Sequence, residues 1–227
     1  MAFSGVYAAK KSRNLDFPAK GCYIMPGRPA NHNDVSEKTF PSFHSTIGFP
    51  FGHDMKQQRS LQMIRLQSVQ AKDRDLLWNI NQKNLYEMTN YYPDAMDANG
   101  NYHYGHFDEY FTDPKRTAYF IFNDAELVGF AMLCPYSVIG RKPDCTMAEF
   151  TIFPAYRRKR FALEAANLIL SRHTGKWEIK YHEKNVAGKK LWNAVAAPHE
   201  PESFHLNEAE TVLVFEIAKQ PGSSMKM

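Results

Sequence analysis

Four consecutive cations, Arg157, Arg158, Lys159 and Arg160, stand between Pro154-Ala155-Tyr156 and an apolar-periodic stretch that begins at Phe161. The periodicity predicts that a helix begins near Arg157–Arg160, and no Ser, Thr, Asp or Asn lies close enough to cap it. Cations at the positive end of a helix dipole are unfavourable by ~0.3–1 kcal/mol each. A bound anion would cap the free N–H groups and neutralise the cluster, so the segment suits a phosphate-bearing ligand; the competing reading is a solvated basic face. Just upstream, Met147–Phe153 has strand character, and alternation puts Glu149, Thr151 and Phe153 on one face and Ala148, Phe150 and Ile152 on the other. A lone Glu in a central strand is costly to bury unless it is hydrogen-bonded or functional. A third stretch combines aromatic rings with carboxylates: Tyr91, Tyr92, Asp94, Asp97, Tyr102, Tyr104, Asp108, Glu109 and Tyr110. That mixture suits a cation, through ring faces and ion pairing, or is simply a tyrosine-rich solvated loop. His103 and His106 are spaced i, i+3, but no third ligand accompanies them and no metal is expected.

The elements that must position these groups can be read in order. Ile64 and Leu66 alternate with Arg65 and Gln67, the period of a half-buried strand over Met63–Val69. Asp73 is placed to cap a long helix carrying Leu77, Trp78, Ile80, Leu85 and Met88, with Pro93 as its stop. A loop over 94–105 and a short helix around His106–Phe111 follow. Ala118–Phe122 and Leu127–Leu133 form a hairpin with Asn123-Asp124 as its turn. After the strand ending at Pro154, Phe161, Ala165, Leu168 and Ile169 make one apolar helical stripe, with Arg172, His173 and Gly175 as its C-terminal signal. Trp177–Tyr181 is a strand. Asn185–Val195 is a helix with Ala187, Leu191 and Val195 on one face, and Thr211–Ile217 closes the sheet. A hairpin followed by a β-α-β unit is an α/β layered (α+β) domain: a mixed, mostly antiparallel central sheet flanked by helices. The domain is expected over 62–219. Residues 1–61, rich in Pro, Gly, Asn and Ser, read as an irregular N-terminal arm, and 220–227 as a polar tail. Phe40, Phe43, Phe49 and Phe51 in the arm would dock on the domain or on a second copy, as a homodimer.

Composition narrows the classes. The 227 residues are 44% hydrophobic and 23% charged, an ordinary globular balance. A net charge of +4, with cations and anions interspersed, gives no reason to expect nucleic acid or membrane as a partner. No apolar run approaches the roughly 20 residues of a membrane span, and Met1–Asp16 lacks the apolar block of a secretory signal. Cys22, Cys134 and Cys145 are odd in number and widely spaced, so a reducing, cytoplasmic location fits better than a disulfide framework.

Three segments in order carry a resemblance: Ala148-Glu-Phe-Thr-Ile-Phe-Pro-Ala-Tyr-Arg-Arg-Lys-Arg-Phe-Ala162, then Trp177-Glu-Ile179, then Asn185-Val-Ala-Gly-Lys-Lys-Leu-Trp192. Together they resemble the acetyl-CoA core of the GNAT superfamily of N-acetyltransferases, over roughly 63–217. The resemblance implies a GNAT-like acyl-CoA N-acyltransferase fold, acetyl-CoA as co-substrate and transfer to a primary amine of a small polar molecule or peptide. It implies that the backbone of Thr151, Ile152 and Phe153 pairs with the pantetheine arm. The loop pattern Arg/Gln-x-x-Gly-x-Gly/Ala would wrap the pyrophosphate, with Arg157 at its first position, Ala162 at its last, and the amides of Arg158, Lys159, Arg160, Phe161 and Ala162 as contacts. Arg160 stands where the family has Gly, which strains the chain if that position needs positive φ and is harmless if it is ordinary helix. Asn185 matches the Asn that bonds pantetheine or positions the next helix. Glu149 matches the general base, acting through water, or a structural or substrate-binding carboxylate. A Tyr in the last helix often protonates the departing thiolate; Trp192 occupies that place here and reads as packing, leaving Tyr181 or His182 as substitutes, or a thiolate that leaves unaided and is protonated from solvent. The acceptor would dock among Tyr91, Tyr92, Asp94, Tyr104 and Asp108. The departures at Arg160 and Trp192 also admit a non-catalytic acyl-CoA-binding module.

Overall fold

The computed structural model describes residues 63–218; the N-terminal arm and the polar tail lie outside the described residues. Ten regular elements follow in order: β1 (Ile64–Ser68), α1 (Arg74–Met88), β2 (Thr117–Asn123), β3 (Glu126–Cys134), β4 (Cys145–Ile152), α2 (Phe161–Arg172), β5 (Gly175–His182), α3 (Val186–Ala196), β6 (Glu202–His205) and β7 (Glu210–Ile217). The strands form one sheet in the order β1-β2-β3-β4-β5-β7-β6. Every neighbouring pair is antiparallel except β4 and β5, which α2 connects as a β-α-β crossover. The mixed, mostly antiparallel sheet read from the sequence is therefore what forms.

Each face of the sheet is covered by its own layer. Phe161, Ala165 and Ile169 of α2, with Trp192 and Val195 of α3, pack on Ile121, Ala131, Met147, Phe150, Ile152 and Ile179. On the other face Leu77 of α1, with Phe107 and Tyr110 of the loop after it, packs on Phe120, Phe130, Met132 and Ala148. Burying these two cores supplies the main drive to fold, at about 25 cal/mol per Å² of apolar surface.

Several local expectations are corrected. α1 ends at Met88, before Pro93, because Thr89 and Asn90 turn their side chains onto the carbonyls of Tyr86 and Glu87. Asp73 stands at the N-cap position, but its carboxylate accepts from the Gln70 backbone N–H at 3.0 Å and caps no helical N–H. The hairpin turn is Asp124-Ala125, since Asn123 pairs with Glu126, and Asp124 takes φ 53°. The helix expected at His106–Phe111 is a 3-10 turn over Asp108–Phe111. Gly175 opens β5 at φ 108° beside the Asp144 carboxylate and does not terminate α2. The buried face of α3 centres on Gly188 and Trp192, one position round from the expected stripe. Asn185 sets that rotation: its Oδ1 accepts from the Gly188 N–H at 2.9 Å, and a Cβ on Gly188 would sit 2.8 Å from the Asn185 amide. β6 was not legible, because Glu202, Ser203 and His205 are exposed on a short edge strand with no apolar alternation.

Gly129 lets β3 and β4 approach: a Cβ there would meet the Thr151 carbonyl oxygen at 2.2 Å. Gly129→Ala should therefore lower unfolding free energy by about 3 kcal/mol, since backbone cannot yield as a flexible side chain can; chemical denaturation measures it.

Candidate active site

β4 and β5 run side by side for only three residue pairs, Cys145–Trp177, Thr146–Glu178 and Met147–Ile179. Beyond Met147, β4 continues to Ile152 paired with β3 alone, and β5 continues to His182 paired with β7 alone. A bulge marks the parting. Met132 faces Glu149 and Leu133 faces Met147, so Ala148 has no partner in β3. The extra residue puts Ala148 on the α1 face beside Met132 and Phe130, correcting the simple alternation that placed it with Phe150. Every residue of β4 is buried, so the edge of 148–152 that turns from β3 is enclosed without a neighbouring strand.

At the end of that edge the chain makes a 3-10 turn over Pro154–Tyr156, then an extended Arg157. Arg158 and Arg160 both take the left-handed region, at φ 65° and 67°, and α2 starts only at Phe161. The basic cluster thus forms a loop before the helix, not its first turn. Arg160 occupies the helix N-cap position without capping through its side chain, so the first amides of α2 keep no side-chain acceptor there. Alternating backbone twist of this kind aims successive N–H groups into one concavity. Arg158, Lys159 and Arg160 are exposed around it. Arg157 is different: its Nε donates to the Ile152 carbonyl at 2.7 Å and its guanidinium pairs with Glu87 at 2.8 Å. It ties the loop to β4 and α1.

Glu149 is fully buried on the α1 face, where Asn84 Nδ2 donates to its Oε2 at 2.9 Å. A cavity of about 360 Å³ opens between α1 and β4, walled by Asn84 together with Ile80, Glu87, Thr151, Phe153 and Arg157. Across the parting, Tyr92 Oη and Lys180 Nζ each donate to Glu210 Oε1 at 2.6 Å. Burial pushes the Tyr92 phenol well up, and its bond to Glu210 and the nearby Glu149 push it further. Burial raises Glu210 as well, but the bonds from Lys180 and Tyr92 outweigh it and hold the carboxyl below its ordinary range. His182 packs against the rings of Tyr91 and Tyr92, its Nδ1 accepting the Lys184 N–H at 3.1 Å. Burial, partly offset by Glu210, lowers its pKa, so the ring is neutral near pH 7 with its proton on Nε2.

The expected site residues divide accordingly. Glu149, Tyr91, Tyr92 and Tyr104 gather on the α1 face; the buried Tyr104 phenol, pushed well up first by burial, lies close enough for Glu149 to add to the rise. Thr151 and Phe153 share that face, while Ile152 packs into the α2 core. Asp94 is exposed. Asp108 is not brought in: it pairs with Arg74 at 2.7 Å on the surface. Tyr181 points to the opposite face, buried in the α2–α3 core, where its hydroxyl accepts from Asn193 at 3.4 Å. Asn185 is fully buried at the start of α3. Asn81, Asn84, Glu87, Lys180 and Glu210 were missed. The signal for two of them was present: Leu77, Asn81, Asn84 and Met88 share a helical stripe, and asparagine on a buried stripe calls for a polar partner.

A family model for the acetyltransferase (GNAT) family matches residues 79–196, more than half of the chain. The protein belongs to the GNAT acetyltransferase family. Among solved structures, an acetyltransferase from Thermus thermophilus is 15% identical with a TM-score of 0.50, covering 68% of this chain and 97% of its own. A GNAT-family acetyltransferase from Bacillus cereus is 15% identical with a TM-score of 0.48, covering 69% and 99%. At these identities the likeness is one of fold. No curated protein matches in sequence. Among the described residues, no three His, Cys, Asp or Glu side chains group as a metal site would need, and no helix is long and apolar enough to cross a membrane.

The GNAT protein carries a cost at Arg160, where a left-handed backbone disfavours any Cβ by about 1–2 kcal/mol. Arg160→Gly should raise unfolding free energy by about 1 kcal/mol, read by urea denaturation. For His182, an unfolded pKa near 6.5 exceeds the folded one, so the unfolded state binds more protons below that pH. Its contribution to stability is intact above pH 6.5 and lost as pH falls toward the folded value. His182→Gln should thus flatten the decline of melting temperature between about pH 6.5 and pH 5.

Proposed function

We propose that this protein transfers the acetyl group of acetyl-CoA directly to a primary amine of a small polar molecule or peptide. The observation that carries the reading is the parting of β4 from β5, which leaves a buried, unladdered strand edge running from Glu149 to an anion-suited loop. Buried backbone groups are almost always paired. Thr151 and Phe153 turn their backbone to β3, where the Phe153 N–H donates to the Val128 carbonyl at 2.8 Å, so an extended amide-bearing arm would pair with the opposite edge, along Phe150–Ile152, as an added strand would. The pyrophosphate then meets the amides of Arg158–Ala162 under the charge of Arg158, Lys159 and Arg160, and Asn185 faces the arm from α3. The left-handed turns at Arg158 and Arg160 support that role, since they are the conformations in which N–H groups converge.

The acceptor amine enters from the α1 face, between Tyr91, Tyr92 and Tyr104. It attacks as the neutral base, so its proton must leave; Glu149 accepts it, directly or through a water, oriented by Asn84. Tyr181, the candidate donor to the departing thiolate, would act from the α3 face. Solvent enclosure strengthens each of these interactions relative to water.

Acetyl-CoA at about 100 times its Kd should stabilise the fold by about 2.7 kcal/mol, seen as a raised melting temperature. No shift and no calorimetric heat at millimolar acetyl-CoA would remove the proposal. Thiol release with a panel of amines then separates an enzyme from a module that only binds acyl-CoA. Glu149→Gln should cut kcat by about 10²-fold or more while leaving acetyl-CoA affinity within about twofold; unchanged turnover would mean that another group takes the proton.

A further inference from the structure

The two buried indoles of the core are treated differently. Trp177 Nε1 donates to the His173 carbonyl at 2.8 Å. Trp192 is fully buried on α3, yet its Nε1–H has no hydrogen-bond partner. Buried indole N–H groups normally find an acceptor, and leaving one unmet is destabilising. Asn185 repeats the pattern on the same helix: Oδ1 caps Gly188, while Nδ2 is buried and unmet. Two orphan donors on the inner side of α3 point to an acceptor that the folded chain does not supply.

Their place says which acceptor. The Trp192 ring packs edge-on against Phe150, with centroids 5.2 Å apart, and Phe150 belongs to the part of β4 that has left β5. Glu149, its neighbour along β4, projects to the α1 face. Trp192 therefore stands level with Glu149 on the opposite side of the sheet. We infer that the Trp192 indole N–H donates a hydrogen bond to the thioester sulfur and stabilises the thiolate as it leaves. The inference rests on the acetyl-CoA reading above.

The step balances without an acid at that position. The amine nitrogen bonds to the acyl carbon, the C–S bond breaks, and its electron pair departs on sulfur. The amine proton goes to Glu149. An indole N–H does not ionise at useful pH, so Trp192 keeps its proton and contributes a charge-assisted hydrogen bond. The thiolate takes up its proton afterwards, from Tyr181 or from solvent.

The test uses the full ¹⁵N-labelled wild-type chain, whose three tryptophans give three indole N–H signals, assigned through their backbone so that no variant is required. The probes, used at about pH 8.5, are CoA and desulfo-CoA, which differ in the sulfur alone. The expected result is a downfield shift of the Trp192 signal with CoA and none with desulfo-CoA. Equal shifts with both probes would place the N–H on another part of the ligand and overturn the sulfur assignment. An unmoved signal while calorimetry shows CoA binding overturns the inference and leaves the acetyl-CoA reading standing; no binding heat removes both. Trp192→Phe, which keeps an aromatic ring against Phe150, should lower kcat roughly tenfold or more with unchanged KM for acetyl-CoA. Equal losses with a thioester of a much more acidic thiol, whose sulfur needs less help, would count against a leaving-group role.

Discussion

The backbone of a central strand has to be hydrogen-bonded on both edges or stand beside something that replaces the missing neighbour. β4 meets that demand on one side only. The single extra residue at Ala148 re-aims the strand, and beyond Met147 its residues stay buried without touching β5. The rest of the site is arranged around this opening. Glu149 and its asparagine stand on one side, Asn185 and Trp192 on the other, and the left-handed loop of Arg158 and Arg160 lies at its end.

Some of the strain and of the orphaned polarity lies at this opening, which is what a site held ready for a ligand would show. Two arginines sit in a backbone region that disfavours them, and the helix that follows starts without a side-chain cap. The surrounding contacts hold this geometry: Arg157 bonds back to Ile152 and forward to Glu87, so α1, β4 and the loop are linked through one guanidinium. Loosening that link would be felt at both the cavity between α1 and β4 and the basic loop, because Glu87 and Arg157 line the first and Arg157 opens the second.

The α1 face is unusually polar for a helix–sheet contact. Asn81 is fully buried with neither amide atom bonded, Asn84 keeps a free oxygen, and neither the Tyr104 nor the Tyr110 hydroxyl makes a hydrogen bond of normal geometry. A core built only for stability would place apolar residues there. Asn84 bonds Glu149 directly and Tyr104 and Tyr110 lie within its electrostatic reach, so this side of the sheet has the capacity to orient water or a polar molecule next to a carboxylate.

Local pattern was enough for the order of every regular element but β6, for the mixed sheet and for the segment that carries the loop, because alternation, apolar stripes and breakers such as Pro154 act over a few residues. It was also enough to single out Glu149 and the basic run, whose residue types are unusual for their positions, while Asn185 came from the family resemblance. Tertiary structure decided the rest. A bulge at Ala148 depends on register against Met132 and Leu133, which no period along β4 encodes. The left-handed turns put Arg157 to structural use and moved the start of α2 to Phe161. Asp108 went to Arg74, Tyr181 to the α3 face and Glu210 to Tyr92, since the partner of a charged or phenolic group is set by which strands lie adjacent in space. Whether the Trp192 N–H has an acceptor is likewise a property of three elements meeting, and one sequence position cannot express it.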